Sequence, residues 1–316
     1  FRSNGFDLPD VAAINVAKDV QGPTVNIMIP DPGYGSINTP LTINASITDL
    51  NVVVYATLSY AAGGSVKRED ISMTLTEEDQ YQATIPGDAM TVMGINYYIF
   101  TKDGKDNTTT TEFNSVDVEF TEGLLSTSVN GSVLKDGLPR DKWRMISVPA
   151  RLDEDEVMTV LGDVLGEKKS TTWVIWEWDG EEWQEPAALK VSRSYWLIHG
   201  VKTPPSFVTG SGVSLDQTEF KYELQPGWNM IGNPYPFPVT LSVDETNFYG
   251  PLTYGWTGGG WSSPVTEILP WAGYGIYNRY VVPATLVLTP VGSPNNITKK
   301  IVAIPDGWKL NIGAYG

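Results

Sequence analysis

Few residues in this chain have the types and spacing that chemistry needs. His199 is the single histidine, at a strand end in Trp196-Leu197-Ile198-His199-Gly200. A Ser-His-Asp triad would rest on it alone, and a two-His metal site needs a second ring. It reads as a structural or surface histidine. The chain has no cysteine, which removes disulfides, thiolate nucleophiles and Cys-based zinc sites. No Gly-x-Ser-x-Gly elbow, His-Glu-x-x-His helix or Walker loop occurs. Carboxylates are plentiful, so counting alone leaves a glycosidase-like pair open. Their densest group, Asp153-Glu154-Asp155-Glu156, reads instead as a helix start. Asp103-Gly104-Lys105-Asp106-Asn107 has the outline of a calcium loop without the 1,3,5 spacing or the distal bidentate glutamate, and reads as a turn. The expectation is no catalytic residue, no cofactor and no metal.

The aromatic residues are the other candidates. Trp176, Trp178, Trp183, Trp256 and Trp261 offer ring faces that would suit the apolar face of a pyranose. In alternating strands Trp176 and Trp178 share one side, as do Tyr254 and Trp256. Recurrence at equivalent positions is what a packed core demands. A core role is therefore the expectation, with a subunit interface or a glycan-stacking platform as alternatives. Four Asn-x-Ser/Thr sequons, at Asn44, Asn107, Asn130 and Asn296, are candidate glycosylation sites on a secretory route.

Composition bounds the partners. The chain has 316 residues, 41% hydrophobic and 18% charged, above the low-hydrophobicity, high-charge range of disordered chains. A formal charge of −16 repels phosphate backbones and argues against nucleic acid. No apolar run reaches the length of a membrane span. The start at Phe1 without a signal pattern reads as a processed or partial product. Residues 1–21 read as a linker or a strand of a preceding unit. At the far end Ile304-Pro305-Asp306-Gly307-Trp308-Lys309-Leu310-Asn311-Ile312 reads as a turn opening a strand, so 299–316 begins a further unit or is exchanged with a neighbour.

Residues 22–122 carry strand patterns at Thr24–Ile29, Leu41–Thr48, Val52–Tyr60, Ile71–Leu75, Tyr81–Ile85, Asn96–Thr101 and Thr110–Phe120, separated by Gly, Pro and Asp turn signals. About seven strands in about 100 residues predict a β-sandwich. Tyr81-Gln82-Ala83-Thr84-Ile85-Pro86 and Tyr97-Tyr98-Ile99-Phe100-Thr101-Lys102-Asp103-Gly104 make this stretch resemble the immunoglobulin-like or fibronectin-type-III-like modules of bacterial surface proteins. The Cys…Trp…Cys signature of antibody domains is missing.

All 11 tryptophans lie between Trp143 and Trp308, where the sequence repeats itself. Trp143-Arg144-Met145-Ile146-Ser147-Val148-Pro149 matches Trp228-Asn229-Met230-Ile231-Gly232-Asn233-Pro234. Trp176-Glu177-Trp178-Asp179-Gly180-Glu181-Glu182-Trp183 matches Tyr254-Gly255-Trp256-Thr257-Gly258-Gly259-Gly260-Trp261. Tyr195-Trp196-Leu197-Ile198 matches Tyr274-Gly275-Ile276-Tyr277. The offsets are 85, 78 and 79 residues. Copy one, 138–210, also holds a short helix near 154–165: Val157, Val160, Leu161, Val164 and Leu165 share one face. Asp153 is its expected N-cap above an acidic first turn, and Gly166 its stop. Copy two spans 220–290.

Gly227-Trp228-Asn229-Met230-Ile231 and the two tyrosine-bearing strands make residues 138–290 resemble Trp-rich β repeats of large secreted bacterial proteins. Copy one departs from the pattern at Asp141-Lys142, where copy two has Pro226-Gly227. The resemblance implies secretion, a stalk-like or accessory role and no known catalytic residue. The expected molecule is thus all-β: an immunoglobulin-like β-sandwich followed by two related antiparallel modules. Its expected role is a non-catalytic structural protein of the cell surface, a subunit of a layer, sheath, tube or filament that polymerises by strand addition. An accessory region of a larger secreted hydrolase and a carbohydrate-binding adhesin are the alternatives.

Overall fold

Period-two alternation decides the first half of the fold. In Leu41–Thr48 the side chains of Ile43, Ala45 and Ile47 are buried while Asn44 and Thr48 face water, as a pleated strand with one wet face requires. The computed structural model of the protein describes residues 19–28, 34–127, 134, 136–202, 206–217, 219–241, 252–288 and 290. The expected terminal segment 299–316, and residues 1–18 of the segment 1–21, lie outside them.

Two sheets enclose the first core. One orders Thr24–Met28, Leu41–Thr48, Gln80–Ile85 and Thr74–Glu77, all antiparallel. The other sets Val53–Ala62 between Ile95–Asp103 and Glu69–Ser72. Ile43, Ile47, Leu58, Ile85, Ile95 and Ile99 fill the space between them. Two expected strands are each two pieces. Ile71–Leu75 is a crossing point: Glu69–Ser72 pairs in one sheet and Thr74–Glu77 in the other, with the buried Met73 between, its N–H bound to the Ala56 carbonyl. Thr110–Phe120 divides into Thr108–Thr110 and Asn114–Phe120 along one edge of Ile95–Asp103. There the Thr111 hydroxyl accepts the Ile99 N–H at 3.0 Å in place of a backbone carbonyl. Both breaks keep the alternation intact on either side, so a period-two reading passes over them.

The helix is shorter than expected and begins differently. It spans Val157–Leu165 and buries Val157, Val160, Leu161 and Leu165. Asp153 is not its N-cap, and its first turn carries no acid. Tertiary partners claim those carboxylates: Asp153 accepts the Ser211 hydroxyl at 2.6 Å, and Asp155 takes the Lys190 ammonium. The chain stays extended through Glu156, which bridges Ala188. Gly166 closes the helix at φ +75°, with its N–H on the Gly162 carbonyl.

Each half of the tryptophan-rich region carries a four-stranded antiparallel sheet. In the first the strands are Arg144–Ile146, Trp173–Trp178, Trp183–Gln184 and Tyr195–His199; in the second, Gly227–Gly232, Leu252–Trp256, Trp261–Pro264 and Gly273–Asn278. Both sheets run in the order first, fourth, second, third. Their hairpins set Trp178 opposite Trp183 and Trp256 opposite Trp261. Both fourth strands are anchored alike, since Tyr195 accepts the Lys190 N–H at 2.7 Å and Tyr274 accepts the Leu269 N–H at 2.8 Å. Three residues before each of these tyrosines, Ser192 and Trp271 bend the chain through positive φ, +66° and +67°.

The two sheets hold each other by matched bonds. Ser147 donates its N–H to the Trp271 carbonyl, and its counterpart Gly232 donates to Ser192, the counterpart of Trp271. Trp256 Nε1 donates to the Trp143 carbonyl at 3.0 Å, and Trp178 Nε1 to Trp228 at 3.3 Å. Backbone bridges join Ile146 to Ala272 and Ile231 to Arg193. Each of these contacts recurs with the repeats exchanged. That is the signature of an isologous, two-fold-like interface, here within one chain. Gly232 and Gly273 permit the close approach: a Cβ would lie 2.2 Å from Ser147 Cβ at the first and 1.9 Å from Ser194 Oγ at the second.

The sandwich and the repeats also share structure. Asn114–Phe120 pairs with Gly212–Val213, which pairs with Arg151–Leu152. Phe120 from the sandwich and Trp271 from the second sheet both enter the core formed around the helix and the first repeat.

Candidate functional site

The indoles that recur by sequence are not core residues. Among the described residues the fully buried tryptophans are Trp173, on the inner face of its strand, and Trp271, in the turn before Gly273–Asn278. Trp143, Trp176, Trp178, Trp196, Trp228, Trp256 and Trp261 project from the opposite faces, where the two repeats meet, and remain partly or largely exposed. This corrects the expected core role, and the reason is the partner sheet: the aromatic face of each repeat covers that of the other only in part. Across the seam Trp196 meets Trp256 at 5.0 Å and 69° and Trp261 at 5.9 Å and 88°. Edge-to-face contacts of this kind are favourable for rings with a negative face and a positive edge.

Where cover is incomplete the indoles line a solvent-open cleft of about 550 Å³, walled by Trp143, Trp176, Trp183, Trp196 and Trp256. Of the five aromatics singled out by sequence, Trp176, Trp183 and Trp256 line it. Trp178 and Trp261 stand beside it, the first bonded to the Trp228 carbonyl and the second stacked on the Trp228 ring. Trp143 and Trp196 were not among the five candidates. Their signal was the repeat itself, since they open the first strand and sit in the fourth.

His199 is buried with both ring nitrogens committed to backbone. Nε2 lies 3.0 Å from the Leu138 carbonyl, and Nδ1 accepts the Val201 N–H at 3.2 Å. That pattern fixes the neutral ring protonated at Nε2. It ties the loop before the first strand to the end of the fourth.

The turn at Asp103 is built as a turn. Asp103 is buried and accepts the N–H groups of Lys105 and Asn107, both at 2.8 Å, and the Asn107 amide at 2.9 Å. Burial would raise its carboxyl, but these donors outweigh that and hold it below the ordinary aspartate value. Asp19 and Asp49 bring their carboxylates to the same place, all within 4.8 Å of one another. Asn51 bridges them, donating its amide to Asp19 and its N–H to Asp49. Sequence reading missed this trio because its members are far apart in the chain and meet only through sheet pairing.

Of the sequons, Asn44 faces water on its strand. Asn107 donates its side-chain amide to Asp103. Asn130 and Asn296 lie outside the described residues.

Fold and cleft together define an all-β chain whose duplicated half is joined along an aromatic seam. No protein family and no curated protein matches the sequence. Among solved structures, 58% of the chain is similar to 32% of a cycloalternan-degrading enzyme from Trueperella pyogenes in complex with isomaltose, with 14% identity and a TM-score of 0.24. The chain therefore spans about a third of that enzyme's length. A likeness at this level carries no argument about function.

Proposed function

We propose that the protein is a non-catalytic structural protein of the cell exterior, a rigid spacer that assembles into a layer or filament. The observation behind this reading is continuity: one sheet runs from the sandwich into the repeat region, and one core takes side chains from all three parts. Such sharing makes a stiff unit of parts that would otherwise flex at linkers. An exposed apolar end, with Leu50, Val52, Val54 and Tyr55 all at the surface, supplies a contact face, and strands such as Thr74–Glu77, at a sheet edge among the described residues, supply hydrogen-bonding groups. The large negative charge suits an exterior surface that must stay soluble until it assembles.

Sedimentation velocity and electron microscopy of the purified full chain test this. Ordered oligomers or filaments are expected as concentration rises, and Val52→Lys with Val54→Lys should weaken them. Monomers alone at high concentration would overturn the reading.

A further inference from the structure

The two repeats are duplicates, yet the indole-walled cleft takes four of its five rings, Trp143, Trp176, Trp183 and Trp196, from the first. The difference traces to one pair of equivalent positions, Trp196 and Gly275, placed at the same register by the offset that relates Tyr195 to Tyr274. In the second repeat the third-strand Trp261 lies over Gly275. A Cβ there would be 3.0 Å from Cη2 of Trp261 and 3.4 Å from the Trp228 ring. With no side chain beneath it, Trp261 stacks on Trp228 at 6.0 Å and 14°. In the first repeat the indole of Trp196 occupies that place. Trp183, the counterpart of Trp261, packs on Trp178 at 5.2 Å and lines the cleft. The cleft between Trp143, Trp176, Trp183, Trp196 and Trp256 is what this exchange leaves open.

We propose that this cleft is a carbohydrate site, taking the pyranose rings of an uncharged polysaccharide. Its volume of about 550 Å³ falls in the range of small-molecule sites, roughly 300–1,000 Å³. The hairpin that carries Trp176 and Trp183 also carries Glu177, Asp179, Glu181 and Glu182, with Glu185 just beyond it. Of these five, Glu185 has a cationic partner, Lys168. With a net charge of −16 on the chain, the carboxylates of this hairpin disfavour anionic lipids, fatty acids and nucleic acids. An uncharged pyranose fits these features, its apolar C–H face lying against the indoles. The site does not depend on assembly, so either reading can fail without the other.

The test is a titration of the full chain with cellohexaose, maltohexaose and chitohexaose, followed by tryptophan fluorescence and calorimetry, with choline as a cationic control. At least one hexasaccharide should bind at one site per chain. Trp183→Ala should weaken it by about 5-fold or more and Trp183→Phe by less, because a stacked ring contributes on the order of 1 kcal/mol. Trp228→Ala, outside the cleft lining, should stay within about 2-fold. Assembly of Trp183→Ala should match the wild type. Because Trp183 is on an exposed hairpin, its variants are expected to fold, and an unchanged melting temperature checks that. Absence of binding to all three sugars, binding indifferent to Trp183→Ala, or binding of choline in their stead would overturn the proposal.

Discussion

At the scale of single residues, the same side-chain types do different work according to which face of a strand they occupy. Trp173 and Trp271 are enclosed, while Trp183, Trp228 and Trp261 are more than 40% exposed. Trp271 is the sharper case, since it belongs to the second repeat and fills the core of the first, edge-on to Phe207 at 5.8 Å. Trp271→Ala should destabilise by about 3–5 kcal/mol, read as a loss of denaturant midpoint. Trp256→Phe keeps a ring and loses the N–H bond to Trp143, so about 1 kcal/mol is expected. His199→Asn tests the structural role of the histidine. A loss of stability without dependence on any substrate is expected, and a change in binding at unchanged stability would contradict it.

At the scale of elements, the duplication was legible in sequence because packing demands keep spacing. The tyrosine that pins each fourth strand, the hairpin tryptophans and the offsets all survive in the sheets. The reciprocal bonds between repeats were not legible. They use backbone groups of Ser147, Gly232, Ser192 and Trp271, which no residue type advertises. The helix cap failed for a related reason: Asp153 has cap chemistry, but Ser211, far along the chain, reached it first. Strand breaks at Met73 and Thr111 hid inside unbroken alternation. Gly232 is where the elements press closest, and Gly232→Ala should cost about 1–3 kcal/mol through overpacking against Ser147 and Arg193. Urea unfolding measures it; a neutral substitution would mean the repeats sit further apart than described.

At the scale of the whole molecule, pH reports on the buried cores together. Burial pushes Tyr97, in the sandwich, up to about 12, and burial with the nearby Glu267 does the same for Tyr274, in the second repeat. A raised phenol stabilises the fold below the unfolded value near 10 and loses that contribution as pH climbs through the folded value. Stability should therefore fall between about pH 10 and 12, by up to about 1.4 kcal/mol per pH unit for each tyrosine. Asp103 acts at the opposite end. Its depressed carboxyl contributes above the ordinary aspartate range and is lost as pH falls through the folded value, so Asp103→Asn should flatten the acid side of the profile. Equilibrium unfolding across pH measures both limbs.

The central claim is that the two repeats are one folding unit, locked by contacts each gives and receives. Hydrogen exchange of the backbone amides of Leu197 and Ile276, one central position in each repeat, tests it most directly in wild type and Trp256→Ala. The account predicts that protection falls at both positions together and by the same free energy. A loss confined to Ile276, with Leu197 as protected as before, would contradict it.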